Sequence, residues 1–185
     1  MQTPITAVID LDLYKYHAAA AGEKRSVRII HKASGREIEM PTRTSWYGHY
    51  LKKSGGKLAE INQERGTDFK WDDFEYVDVQ RPEPIENVLH TAKVMVEKDL
   101  KASGAKNYQA FLGKGESFRV GLSTIRKYKD RENLLKPVLL DEVSDYLERK
   151  FKAEIVTGIE NDDRVVMECF RQPTKFALIE DKDFW

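Results

Sequence analysis

Three carboxylates fall within four positions in the stretch Val156-Thr157-Gly158-Ile159-Glu160-Asn161-Asp162-Asp163-Arg164-Val165-Val166, at Glu160, Asp162 and Asp163. The flanking residues pattern as the end of a strand and the start of a helix. Like charges this close oppose one another's ionisation, and the relief is a raised pKa or a bound cation that turns repulsion into ligation. Ligands made only of oxygen suit a hard ion such as Mg2+ or Mn2+. A second reading stands beside the first: Asp162 caps a helix running from Asp163, with Glu160 and Asp163 complementing its dipole.

Two further apolar runs end in acids. Ala7-Val8-Ile9 reads as a short buried strand running into Asp10-Leu11-Asp12, and Phe176-Ala177-Leu178-Ile179 as a last strand running into Glu180-Asp181-Lys182-Asp183. In open parallel sheets, chemistry gathers beyond the carboxyl ends of the strands. Asp10 is therefore read as a metal ligand. Asp12 either caps the helix containing Tyr14 to Ala21 or supports a ligand by hydrogen bonding. Three acidic strand ends on one edge favour a metal centre over three unrelated caps. Carboxylates so distributed can hold two divalent ions about 4 Å apart, one activating water and the other stabilising the leaving oxygen of a phosphodiester. The implied chemistry is metal-assisted phosphoryl transfer to water.

A substrate for such a site is anionic, and the segment between Gly113 and Pro137 supplies the opposite charge in Lys114, Arg119, Arg126, Lys127, Lys129, Arg131 and Lys136. Over the whole chain of 185 residues, Lys plus Arg and Asp plus Glu balance at 31 each, so overall charge argues for neither a nucleic-acid coat nor an acidic tail. The local run has to carry the argument. Phosphate contacts from Lys and Arg position a nucleic acid and make its binding salt-dependent, whereas the same run standing alone reads as a solvated surface. Gly113-Lys114-Gly115 lacks the remaining spacing and the GKS or GKT ending of a Walker loop. The single cysteine, Cys169, excludes a disulfide framework or a thiolate metal site within the chain. With no apolar run of membrane-spanning length and no signal-peptide pattern, a cytoplasmic protein with no membrane partner is expected.

The elements that must position these residues alternate. A β-hairpin is expected over 26–31 and 37–40, and a helix over 43–53 whose Trp46, Tyr47, His49 and Tyr50 either pack or stack bases. Residues 66–84 read as a connector. Helices follow over 86–103, stopped by Gly104, and over 141–151, with strands at 107–112 and 153–156. Strand–helix alternation predicts an α/β fold, a mostly parallel central sheet flanked by helices. The length suits one domain over 1–185, with the hairpin and its helix as an insertion at about 23–85.

Four motifs together resemble the 5′-3′ exonuclease and flap endonuclease family, which includes the 5′-nuclease domain of bacterial DNA polymerase I and its phage relatives. They are Val8-Ile9-Asp10; Lys114-Gly115-Glu116-Ser117-Phe118-Arg119 with Tyr128-Lys129-Asp130-Arg131; Gly158-Ile159-Glu160-Asn161-Asp162-Asp163; and Asp181-Lys182-Asp183. The resemblance spans roughly 5–20 and 87–185. It implies a PIN-like domain that uses two Mg2+ or Mn2+ ions to cleave DNA, or RNA in a hybrid, near free 5′ ends, flaps or duplex, in the host cytoplasm if the chain is phage-encoded. By matching positions it implies that Asp10, Glu160, Asp162, Asp163, Asp181 and Asp183 ligate metal or hold its waters. Lys129 and Arg131 would contact the scissile phosphate and Tyr128 the terminal base, with Lys114, Arg119, Arg126 and Lys127 along the nucleic acid.

Two departures from the family pattern follow. Where relatives carry an aspartate at the end of the second strand, this chain has Leu112 and Gly113, so that ligand is missing or comes from elsewhere, with Asp12 as the candidate. Where relatives continue into a helical region that grips duplex DNA, this sequence ends at Trp185. A second chain supplying that region, as in a split nuclease, is one expectation. A non-catalytic nucleic-acid-binding or regulatory protein is the other. A small-molecule phosphatase ranks last, because Leu13 and Tyr14 follow Asp12 where aspartyl-phosphate chemistry needs a different motif.

Overall fold

Continuous burial sets the central strand. In the computed structural model, which describes residues 5–49, 55–117 and 135–179, β1 (Thr6–Asp10) leaves Ala7, Val8 and Ile9 with no exposed surface. A strand so buried must be covered on both faces. β5 (Asn107–Ser117) and β7 (Lys175–Leu178) flank it, and β6 (Glu154–Gly158) pairs the far side of β5, giving the order β6-β5-β1-β7 with every pair parallel. The expected parallel α/β architecture is the one observed.

Ala7, Ile9, Ala110 and Leu112 point to one face and form a core with α1 (Leu11–Ala21), α4 (Ile85–Ser103) and α5 (Leu140–Phe151). α4 presents Val88, Ala92 and Val96 at intervals of one helical turn, and α5 presents Leu140, Val143, Leu147 and Phe151. Val8 and Phe111 point the other way, against Val156 and Val165 of α6 (Asn161–Arg171). Helices therefore cover both faces, and the carboxyl ends of β1 and β6 lie on the same edge of the sheet.

The chain divides into two compact units, Met1–Gly22 with Pro82–Trp185, which holds this sheet, and Glu23–Arg81. The second unit is a three-stranded sheet, β3-β2-β4, in which β2 (Glu23–His31) and β3 (Glu37–Met40) form the expected hairpin. β4 (Phe74–Pro82) places a strand in the latter part of the expected connector. α2 (Arg43–Tyr47) is shorter than expected because Gly48 follows it with φ of 92°, outside helical backbone. α3 (Lys57–Arg65) was not expected, since Leu58 is its one buried residue. Trp46 is buried with Val27, Ile29, Leu58 and Phe74, edge-on to the Phe74 ring at 5.1 Å, so it packs rather than stacks bases. Tyr50 lies outside the described residues. Among those described, no helix is long and apolar enough to cross a membrane.

Candidate metal centre

Beyond β6 the chain turns at Gly158, whose φ of 79° lies in the left-handed region that a side chain would resist. Glu160 is the N-cap residue of α6, with extended backbone and no capping bond from its side chain. This corrects the alternative in which Asp162 caps a helix starting at Asp163. Both aspartates lie in the first turn, where they also complement the helix dipole, and Asp162 Oδ1 accepts the Asp163 N–H at 2.8 Å. Glu160, Asp162 and Asp163 each offer a carboxylate oxygen to one locus, all within 4.8 Å of one another and half-buried.

Asp10 ends β1 and is the N-cap of α1, its Oδ1 accepting the Asp12 N–H at 2.8 Å. The strand thus stops one residue before Leu11, and Asp12 is neither a strand residue nor the cap. Asp10 Oδ1 also accepts Asn161 Nδ2, which donates in addition to the Phe111 carbonyl at 3.1 Å. Burial, then the charge of Asp12 and more weakly that of Asp162, push the Asp10 carboxyl up to about 6, against the lowering effect of the Asp12 and Asn161 hydrogen bonds. Asn161 Oδ1 is buried without a hydrogen-bond partner among the described residues. An oxygen-only donor set, a burdened Asp10 and an orphaned amide oxygen fit a hard divalent cation.

β1 ends opposite Phe111, so it leaves the N–H and C=O of Gly113, two residues further along β5, without a strand partner on that side. Asp12 Oδ1 accepts the Gly113 N–H at 3.0 Å, and Lys15 Nζ donates to the Gly113 carbonyl at 3.1 Å and to Asp12 Oδ1 at 2.8 Å. A Cβ on Gly113 would fall 2.6 Å from Asp12 Oδ2. Asp12 thus occupies the space a side chain at 113 would take.

α6 is held in place from its other end. Glu168, buried, accepts from Arg164 and Arg171 at 3.1 Å each and from Lys175 of β7 at 2.5 Å. The Lys175 hydrogen bond holds its carboxyl below the usual range. The Arg164 guanidinium also lies 4.9 Å over the Phe111 ring. Sequence reasoning missed Lys15, Asn161 and Glu168. Asn161 stood inside the acidic motif as its uncharged member, while the bonds from Lys15 to Gly113 and from Glu168 to Lys175 are tertiary pairings.

Lys114 pairs with Asp145 and Glu148 of α5 at 3.2 and 2.7 Å, and these bonds raise its pKa. Lys136 is exposed. Asp181 and Asp183, together with Arg119, Arg126, Lys127, Tyr128, Lys129 and Arg131, lie outside the described residues. The chain matches no protein-family model, no curated protein and no solved structure.

Proposed function

We propose that the chain is a divalent-metal-dependent nuclease of the 5′-3′ exonuclease and flap endonuclease type, hydrolysing phosphodiester bonds of DNA, or of RNA in a hybrid, in the cytoplasm. The observation that carries this reading is the convergence of Glu160, Asp162 and Asp163 on one locus at the sheet edge where β1 ends in Asp10. Bound there, Mg2+ or Mn2+ would supply Lewis-acid polarisation of the phosphate and activation of water. Glu160, Asp162 and Asp163 would hold the ion, and Asn161 fixes Asp10 beside them. Asp10, pushed up to about 6, lies near enough to neutrality to accept a proton from the attacking water. Lys129 and Arg131 would stabilise charge developing on the phosphate, with Tyr128 at the terminal base. Lys114, Arg119, Arg126 and Lys127 would track the strand, and Asp181 and Asp183 would complete the acidic edge.

A second reading, a non-catalytic nucleic-acid binder, draws support from the pairing of Asp12 with Lys15 and of Lys114 with Asp145 and Glu148. Cleavage decides between them. Purified chain is incubated with 5′-end-labelled duplex, single strand and 5′-flap DNA, with Mg2+, Mn2+ or chelator. Metal-dependent products are expected, falling at least about 100-fold in Asp162→Ala/Asp163→Ala, since losing ligands exceeds the loss from outer hydrogen bonds. Full activity in that double variant removes these residues from the site, and absence of cleavage by the wild type favours the binder.

A further inference from the structure

We propose that Asn161 determines which ion the metal centre prefers: by occupying one oxygen of Asp10 it makes that carboxylate a one-oxygen ligand, favouring Mg2+ and Mn2+ over Ca2+. This rests on the reading in which Asp10 is a ligand of the ion at this edge. The two oxygens of Asp10 are used differently. Oδ1 accepts two N–H groups, the Asp12 amide at 2.8 Å and Asn161 Nδ2. A carboxylate oxygen accepts along roughly two lone-pair directions, so Oδ1 has none left for a cation. Oδ2 makes no hydrogen bond among the described residues and is the oxygen left to ligate.

Asn161 is fixed in this hold. It is 5% exposed at the first position of α6, and its Nδ2 also donates to the Phe111 carbonyl at 3.1 Å. Both neighbours of Nδ2 are acceptors, so the amide cannot turn over without setting its own oxygen against them. The other end of the amide bears the consequence: Oδ1 is buried with no hydrogen-bond partner. A buried acceptor left unpaired opposes folding, and its presence in a folded chain calls for a reason. Holding Asp10 supplies one. The helix-capping bond from the Asp12 N–H would by itself leave Oδ1 a free lone pair, and Asn161 closes it. Ca2+ takes about six to eight oxygens and readily uses both of a carboxylate, whereas Mg2+ demands near-octahedral geometry that single oxygens supply. A carboxylate held to one oxygen therefore withholds a contact from Ca2+ at little loss to Mg2+.

A ratio of two affinities tests this without reference to turnover. Mn2+, which shares the oxygen ligands and octahedral geometry of Mg2+, is titrated into the full chain with free ion followed by electron paramagnetic resonance, and Ca2+ is added as competitor. The wild type should hold Mn2+ against excess Ca2+. Asn161→Leu, close in size and unable to donate, frees Oδ1 and should narrow the Mn2+ preference by about 10-fold, the lower end of what a ligand's hydrogen-bond partner contributes. A purely structural role would weaken both ions alike and leave the ratio in place. In an Asp10→Ala background the same change should leave the ratio unmoved, because Asn161 acts through Asp10. An unchanged ratio in folded Asn161→Leu, or an equal change with and without Asp10, overturns the proposal. Should Asn161→Leu fail to fold by circular dichroism, the shorter Asn161→Ser carries the same comparison. Ca2+ displacing Mn2+ from the wild type at equal concentration overturns it whatever the variants do, as does an Asp10→Ala chain with undiminished Mn2+ affinity. No bound Mn2+ in the wild type instead defeats the metal-centre reading itself.

Discussion

Two carboxylates, one in each unit, meet opposite fates. In Glu23–Arg81, Glu39 faces Arg81 across the sheet in a two-point pair with Ser26 added, Asp78 takes both guanidinium nitrogens of Arg43, and Glu60 takes Lys57. The Arg81 hydrogen bond, helped by Ser26, holds Glu39 down at about 2. In the parallel-sheet unit, burial and neighbouring carboxylates instead push Asp10 up to about 6. Carboxylates matched one to one with cations describe a solvated surface that stabilises itself weakly. Carboxylates gathered with one another cost stability, and such a cost persists in a fold when it serves a site.

If each unit has a core of its own, truncating one should spare the other. Trp46→Ala removes the largest fully buried side chain and should cost about 3–5 kcal/mol within Glu23–Arg81. Hydrogen exchange should then rise in β2 and β4 while amides of β1 and β5 remain protected. Leu147→Ala, costing about 2–5 kcal/mol, should give the opposite pattern. Uniform loss of protection in either variant would show one cooperative core and end the comparison at this level.

The opposed carboxyl shifts predict opposed pH dependences. Asp10 has a folded pKa raised from 3.8 to about 6, so the native chain binds the extra proton and stability falls as pH rises through that interval. Asp10→Asn keeps an acceptor for Asn161 and a good helix cap, but cannot ionise. It should stabilise the metal-free chain at pH 7.5 by on the order of 2–3 kcal/mol and have little effect at pH 3.5. Denaturant unfolding in chelator at the two pH values checks this. A destabilised Asp10→Asn at pH 7.5 would mean that the carboxylate is already compensated without metal.

How much of this was legible in the sequence follows the range of the interactions involved. β1, α4, α5 and β6 carry their own periodicity, so the parallel sheet could be read from pattern. α3 is polar at most positions and β4 mixes apolar with charged residues, and both join a core around Trp46 and Phe74 that sequence alone does not bring together. The acids at 160, 162 and 163 are near neighbours, so their convergence was visible. Asp10 and Asp12 were harder to place, because the backbone turns helical at Leu11 and sends the two carboxylates to different partners. Lys15 reaches a carbonyl 98 residues away, a distance that no local pattern encodes.

The space above Gly113 gives a smaller effect that isolates this arrangement. Gly113→Ala should push Asp12 off the Gly113 N–H and cost about 1–2 kcal/mol, a buried hydrogen bond with charge assistance. In an Asp12→Ala background the same change meets no carboxylate and should cost at least about 1 kcal/mol less, a coupling that a double-mutant cycle reads directly. Additive costs would show that Asp12 and residue 113 do not compete for one position.

The smallest effect belongs to the paired surface. Glu39 has its pKa lowered from 4.5 to about 2, so whatever it contributes is present above pH 4.5 and lost as pH falls through that interval, the reverse of Asp10. Arg81 and Glu39 are solvent-exposed, and exposed ion pairs contribute little to stability. Arg81→Ala at pH 7 should therefore shift the unfolding midpoint slightly, with the shift shrinking in about 1 M salt, where charges are screened within about 3 Å. Salt should leave the Asp10→Asn stabilisation larger than the Arg81→Ala loss, because burial, which salt does not screen, is the main cause of the Asp10 shift. An Arg81→Ala cost that exceeded the Asp10→Asn gain and resisted salt would invert the contrast, making the surface network, and not the acidic edge, the place where this chain concentrates its electrostatic energy.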